Sequence, residues 1–140
     1  MRTLTIFIVA ILFAAACGQL NQRNTDTKTE GQTIDNAKVM VYYFHGKQRC
    51  TTCLAVQKVA EETFTKFFSD IDDVRFREVD ISKKENEALA EKYEIYFSSL
   101  IIATTDSFED ITDVAFASAV NNPLTLQELM VKVINEFLEK

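Results

Sequence analysis

The sequence predicts an α/β fold, a mixed sheet lying between helical layers, and three observations carry that expectation. Strand-like and helix-like hydrophobic periods alternate along residues 37–140. The first apolar run, Val39-Met40-Val41-Tyr42-Tyr43-Phe44, is continuous, which suits a strand buried on both faces. Apolar residues at three- and four-residue spacing follow it closely, the pattern of a helix packed on a sheet.

Taken in order, the helix after the first strand is marked by Leu54, Val56, Val59, Ala60, Phe64, Phe67 and Phe68. Residues 74–81 have strand composition, with Val74, Phe76 and Val79 as the apolar members. Ser82-Lys83-Lys84-Glu85 fits a capping box and opens a helix through Leu89 and Ala90 to about Tyr93. Leu100-Ile101-Ile102-Ala103 and residues 111–120 read as two strands, joined as a hairpin by the acidic turn Asp106-Ser107-Phe108-Glu109-Asp110. Pro123 precedes a second capping box, Thr125-Leu126-Gln127-Glu128, and a final helix lined by Leu126, Leu129, Met130, Val133, Ile134, Phe137 and Leu138. The expected order is βαβαββα, a strand-helix-strand unit followed by a hairpin and a helix.

Upstream of this domain the chain has a different character. Arg2 gives a positive start, residues 4–13 are almost wholly apolar, and Ala14-Ala15-Ala16-Cys17 follows, the three-part layout of a secretory signal over residues 1–16. A membrane span needs roughly 20 apolar residues, and Gly18, Gln19 and Asn21 arrive too early for one. Small residues before a cysteine resemble the lipobox of bacterial lipoproteins, although Ala14 stands where Leu is usual. The resemblance implies that Cys17 carries the lipid anchor on a periplasm-facing membrane. Cleavage at Ala14-x-Ala16 without lipid would leave Cys17 as a free thiol, a liability in an oxidising space. Residues 17–36 are polar and read as a flexible tether.

Loss of residues 1–16 removes Arg2 and no acid, so the 15 basic side chains become 14 against 21 acidic, a net of −7. That balance argues against nucleic acid, whose binding needs a basic footprint. It also supplies no polybasic patch for anionic lipid, so attachment would rest on acyl chains.

Of the three cysteines, only Cys50 and Cys53 fall within the domain, as Arg49-Cys50-Thr51-Thr52-Cys53 between the first strand and its helix. No further cysteine is left for a disulfide framework or a four-thiolate metal site. The motif lacks the His that haem attachment would need, position 54 being Leu.

A Cys-x-x-Cys at the opening of the first helix of a βαβ unit, with this element order, resembles the thioredoxin-like superfamily over nearly all of residues 37–140. Tyr93-Glu94-Ile95-Tyr96-Phe97-Ser98-Ser99-Leu100-Ile101-Ile102 resembles the family's approach to its hairpin. The resemblance implies a three-layer sandwich, a redox-active pair, and substrate docking at the loop that holds Ser98 and Ser99. The sequence departs from the pattern in three places. Ser99 stands at the family's cis-proline, and a non-proline cis bond costs about 3–4 kcal/mol, so a trans peptide and a reshaped groove are expected there. Arg49 and Thr51-Thr52 replace the family's Trp and Gly-Pro. The buried aspartate of the first strand has no counterpart among residues 39–44, and the family's opening strand and helix are missing unless the tether supplies them.

A cysteine at a helix N-terminus meets unpaired N–H groups and the positive end of the dipole, both of which favour thiolate. Cys50 is therefore the expected nucleophile, with Arg49 as a second source of positive potential, and Cys53 the resolving thiol. Glu78 interrupts a strand expected beneath this helix. It reads either as the proton acceptor for Cys53 or as a solvent-facing partner of a neighbouring arginine. His45, the only histidine, reads as a proton relay, as a third metal ligand with Cys50 and Cys53, or as a strand-end residue bonded to backbone. Tyr42, Tyr43 and Phe44 read as core. The expected function is a membrane-anchored, extracytoplasmic thiol-disulfide oxidoreductase acting on protein disulfides. The alternative is a redox-inactive or metal-binding module. No nucleotide loop or flavin site is visible, so no cofactor is expected and electrons would pass to or from a membrane or extracytoplasmic protein. A monomer is expected.

Overall fold

Strand β1 (Val39–His45) is buried at each of its seven positions, as a strand covered on both faces requires. The computed structural model describes residues 37–140; the expected leader, Cys17 and the tether to residue 36 lie outside the described residues. Alternate side chains of β1 feed two separate cores. Val39, Val41 and Tyr43 join one cluster, and Met40, Tyr42 and Phe44 join the other.

Helix α1 (Thr51–Phe67) crosses from β1 to the parallel strand β2 (Val74–Asp80), whose register sets Val39 beside Val74 and Tyr43 beside Glu78. A short 3-10 turn (Lys84–Asn86) and helix α2 (Glu87–Lys92) lead to β3 (Ser99–Ala103), antiparallel to β1 with Phe44 opposite Ser99. Strand β4 (Phe108–Asp110) returns beside β3, giving the order β2-β1-β3-β4. Helices α3 (Thr112–Ser118) and α4 (Pro123–Leu138) complete the chain. Buried Val56 and Ala60 of α1, Ala115 of α3, and Leu126, Met130 and Ile134 of α4 close one face of the sheet. Ala90 of α2 and the adjoining Tyr93 close the other. The result is the expected three-layer sandwich.

Four local expectations need correction. Residues 111–120 do not extend the hairpin: β4 stops at Asp110, whose carboxylate accepts the Thr112 N–H at 2.9 Å and starts α3. The strand reading failed because Ile111, Ala115 and Ala119, buried at four-residue spacing, line a helix face of small residues. Neither capping box forms. Asp80, not Ser82, organises the turn after β2, accepting both the N–H and the hydroxyl of Ser82; these bonds hold its carboxyl below the usual aspartate value. Pro123 is itself at the start of α4, where its missing N–H costs nothing, and Asn122 precedes it without a side-chain cap. Finally, Leu54 and Phe67 of α1 are 50% and 40% exposed and do not belong to the core.

Helix α2 ends in a Schellman turn, with the Ile95 N–H on the Ala90 carbonyl at 2.9 Å and the Glu94 N–H on Glu91 at 3.1 Å. Glu94 carries the left-handed conformation, φ 56°, that such a turn needs. A side chain there costs roughly 1 kcal/mol relative to glycine. Glu94→Gly is therefore expected to stabilise the fold by about that amount, read as a higher urea midpoint with unchanged slope.

Candidate functional site

The β1–β3 register brings two loops together at one end of the sheet, since Phe44, at the exit of β1, lies opposite Ser99, at the entry of β3. One loop carries residues 46–50 and the other residues 96–98. All peptide bonds among the described residues are trans, including the one at Ser99 where the sequence expected it.

Cys50 is the N-cap residue of α1 and is exposed, whereas Cys53 is buried one turn in. The two form a disulfide, with Cα atoms 5.0 Å apart. The Cys53 N–H points at Cys50 Sγ from 3.1 Å, and the Leu54 N–H closes the first helical turn on the Cys50 carbonyl. The sulfur nearest solvent is therefore the one that faces the helix N-terminus, where a thiolate is best accommodated.

Glu78 is on the sheet face that α1 covers, beside Tyr43. It pairs with an arginine, but across the site instead of along its own strand: Arg49, not Arg75 or Arg77, donates to its Oε1. His45 Nε2 lies 2.9 Å from the same oxygen, and Gln57 Nε2 donates to Oε2 at 2.9 Å. Arg49 also donates to Gln57 Oε1 at 2.6 Å. Among the described residues neither cysteine hydrogen-bonds to Glu78.

His45 uses its two ring nitrogens on Glu78 and on the Gly46 carbonyl, 2.9 Å away, so the expected backbone contact is present beside a carboxylate one. No three His, Cys, Asp or Glu side chains among the described residues come together as a possible ligand set.

Sequence reasoning missed two members of the site. Gln57 is one turn beyond Cys53 on α1, and that i, i+4 spacing was the available signal. Tyr43, read as plain core, is fully buried, yet its hydroxyl donates to the Cys53 carbonyl at 2.7 Å, directly beneath the pair. The His45 ring stacks on it at 6.0 Å, and the Arg49 guanidinium lies 5.8 Å above it. Burial pushes this phenol above its ordinary value of 10.0, with Arg49 and the Ser98 hydroxyl partly offsetting the rise. Above pH 10 an unfolded chain ionises this phenol while the folded one keeps its proton, so its stabilising contribution declines there. Tyr43→Phe is expected to remove that alkaline slope and to cost about 1 kcal/mol at neutral pH for the lost bond, both measurable by urea unfolding from pH 7 to 11.

The two serines part company. Ser98 is half-buried beside the Tyr43 phenol, while Ser99 turns inward, its hydroxyl on the Phe97 carbonyl at 3.1 Å. Tyr96 and Phe97, just before them, are 83% and 68% exposed.

Fold and site together make up a thioredoxin-like fold with a Cys-x-x-Cys disulfide at the start of its first helix. No protein-family model matches the sequence, and no curated protein matches it. Among solved structures, the germline-specific thioredoxin Deadhead of Drosophila melanogaster aligns with a TM-score of 0.50 at 17% identity, over 70% of this chain and 83% of its own. The thioredoxin of Fasciola hepatica aligns over the same shares at 19% identity, with a TM-score of 0.49. Identities this low speak to fold alone.

Proposed function

We propose that the protein is a lipid-anchored, extracytoplasmic thiol-disulfide oxidoreductase that reduces or exchanges disulfides of protein substrates as a monomer. One observation carries the chemistry: an exposed Cys50 sulfur at the head of α1, bonded to a buried Cys53. The apolar leader and Cys17 support the location.

In the reduced protein the Cys50 thiolate attacks one sulfur of a target disulfide; that S–S bond breaks and the departing sulfur takes a proton. Cys53, on losing its proton, attacks Cys50 Sγ and releases the second target thiol. The target gains two electrons and two protons, and Cys50–Cys53 is left oxidised for a membrane or extracytoplasmic thiol donor to reduce. Ser98, Tyr96 and Phe97 border this exchange and form the docking edge for the substrate chain. For Glu78, the Arg49 and Gln57 donors on its oxygens favour partnership with Arg49 over uptake of the Cys53 proton.

The test is catalysed reduction of insulin disulfides by dithiothreitol, followed by turbidity. The expected result is a rate that rises in proportion to added protein and falls at Phe97→Ala. An uncatalysed rate at all protein concentrations would reject the proposal.

A further inference from the structure

The Arg49 guanidinium, adjacent in sequence to the attacking sulfur, is not left to the sulfur. We propose that Glu78 sets the reactivity of Cys50 by holding Arg49, with Gln57 and His45 as positioning residues for that clamp. The inference rests on the oxidoreductase reading and adds to it what tunes the site.

Both terminal nitrogens of Arg49 are engaged, one by Gln57 Oε1 and the other by Glu78 Oε1. Its Nε is buried with no hydrogen-bond partner. The guanidinium carbon lies 5.8 Å from the Tyr43 ring centroid, and the Tyr43 hydroxyl is itself fixed on the Cys53 carbonyl. Glu78 is held in turn, with His45 on Oε1 and Gln57 on Oε2. The arrangement belongs to the disulfide state, in which Cys50 is uncharged. Reduction creates a thiolate at Cys50, a second anion on the residue next to Arg49 in the chain. Glu78 and the thiolate then compete for Arg49, and each share that Glu78 keeps is stabilisation the thiolate lacks.

The charged and titratable groups facing this clamp are Tyr43 and His45 from β1 and, from β2, Glu78 and Asp80, which stands beside His45 in register. Asp80, further along β2, is engaged with Ser82. Lys58 of α1 points to Glu62 at 3.9 Å. Removing the Glu78 charge while keeping an amide in its place isolates the competition.

The experiment uses the full reduced chain as wild type, Glu78→Gln, Arg49→Gln and the double variant. The pH dependence of iodoacetamide alkylation is read by mass on the peptide carrying Cys50, and the dithiol-disulfide equilibrium is measured against glutathione. Glu78→Gln is expected to raise the Cys50 thiolate fraction about tenfold at a given pH below the transition. At a pH above the transition it should also make the pair more oxidising by about 30 mV, the same tenfold for a two-electron couple. Gln57→Ala should move both readouts the same way by less. Arg49→Gln should move them the opposite way, and in its background Glu78→Gln should lose most of its effect. An equal Glu78→Gln effect with and without Arg49 would overturn the clamp, showing direct repulsion of the thiolate. So would no shift, or a shift towards the thiol. Alkylation reads the clamp whether or not the pair exchanges, so a wild-type pair inert to glutathione would count against the oxidoreductase reading alone.

Discussion

Cys53→Ser should leave the protein covalently bonded to its target through Cys50, recoverable as a mixed disulfide on a non-reducing gel. Cys50→Ser should trap nothing. Both should lower turnover by at least about 10³-fold, because a covalent step has no substitute once its sulfur is gone. The asymmetry follows from burial: Cys50 is open to a partner, whereas Cys53 is enclosed by α1 and reaches only its neighbour. Equal trapping by both variants would mean that the two sulfurs share access, which this geometry does not offer.

The largest effect on stability is expected at Phe44→Ala. The ring is fully buried at the end of β1, packed near Tyr42 at 5.8 Å and Tyr93 at 6.1 Å between centroids. It also sits opposite Ser99 and beside Val79, so it supports both loops of the site. Truncation of such a residue costs about 3–5 kcal/mol through lost transfer energy and the cavity left behind. For a domain of this size that lowers the melting temperature by on the order of 20 °C. Phe97→Ala is the control, since its ring is 68% exposed; its thermal shift should be small, with its effect confined to substrate reduction. A mild Phe44→Ala would mean that the second core is looser than its burial indicates.

The layers were legible in the sequence because long apolar periods dictate them. Residues 39–44, the α1 positions Val56 and Ala60, and the α4 stripe of Leu126, Met130 and Ile134 all lie where their spacing places them. The α3 segment was not legible, because alanines and a serine bury equally well on a strand or a short helix, and only the Asp110 carboxylate marked its start. The cysteine pair was readable from its position after a buried strand. The network around it was not. Arg49 and Glu78 are 29 residues apart, and although a strand beneath α1 was expected, nothing local indicates the register that sets Glu78 beside Tyr43. Tyr43 was hidden for a different reason: an apolar run conceals a phenol hydroxyl, although sharing a face with His45 at i, i+2 offered a hint.

The central claim is that Cys50 and Cys53 form an exchange-competent pair. Its most direct test is the thiol-disulfide equilibrium of the full chain across defined dithiol potentials without metal, read by mass on the alkylated peptide that carries both cysteines. The expected result is a reversible midpoint between about −120 and −270 mV, reached within minutes. A pair that stays oxidised below about −300 mV, or exchanges only over hours, would contradict the claim and leave a disulfide that merely staples the head of α1.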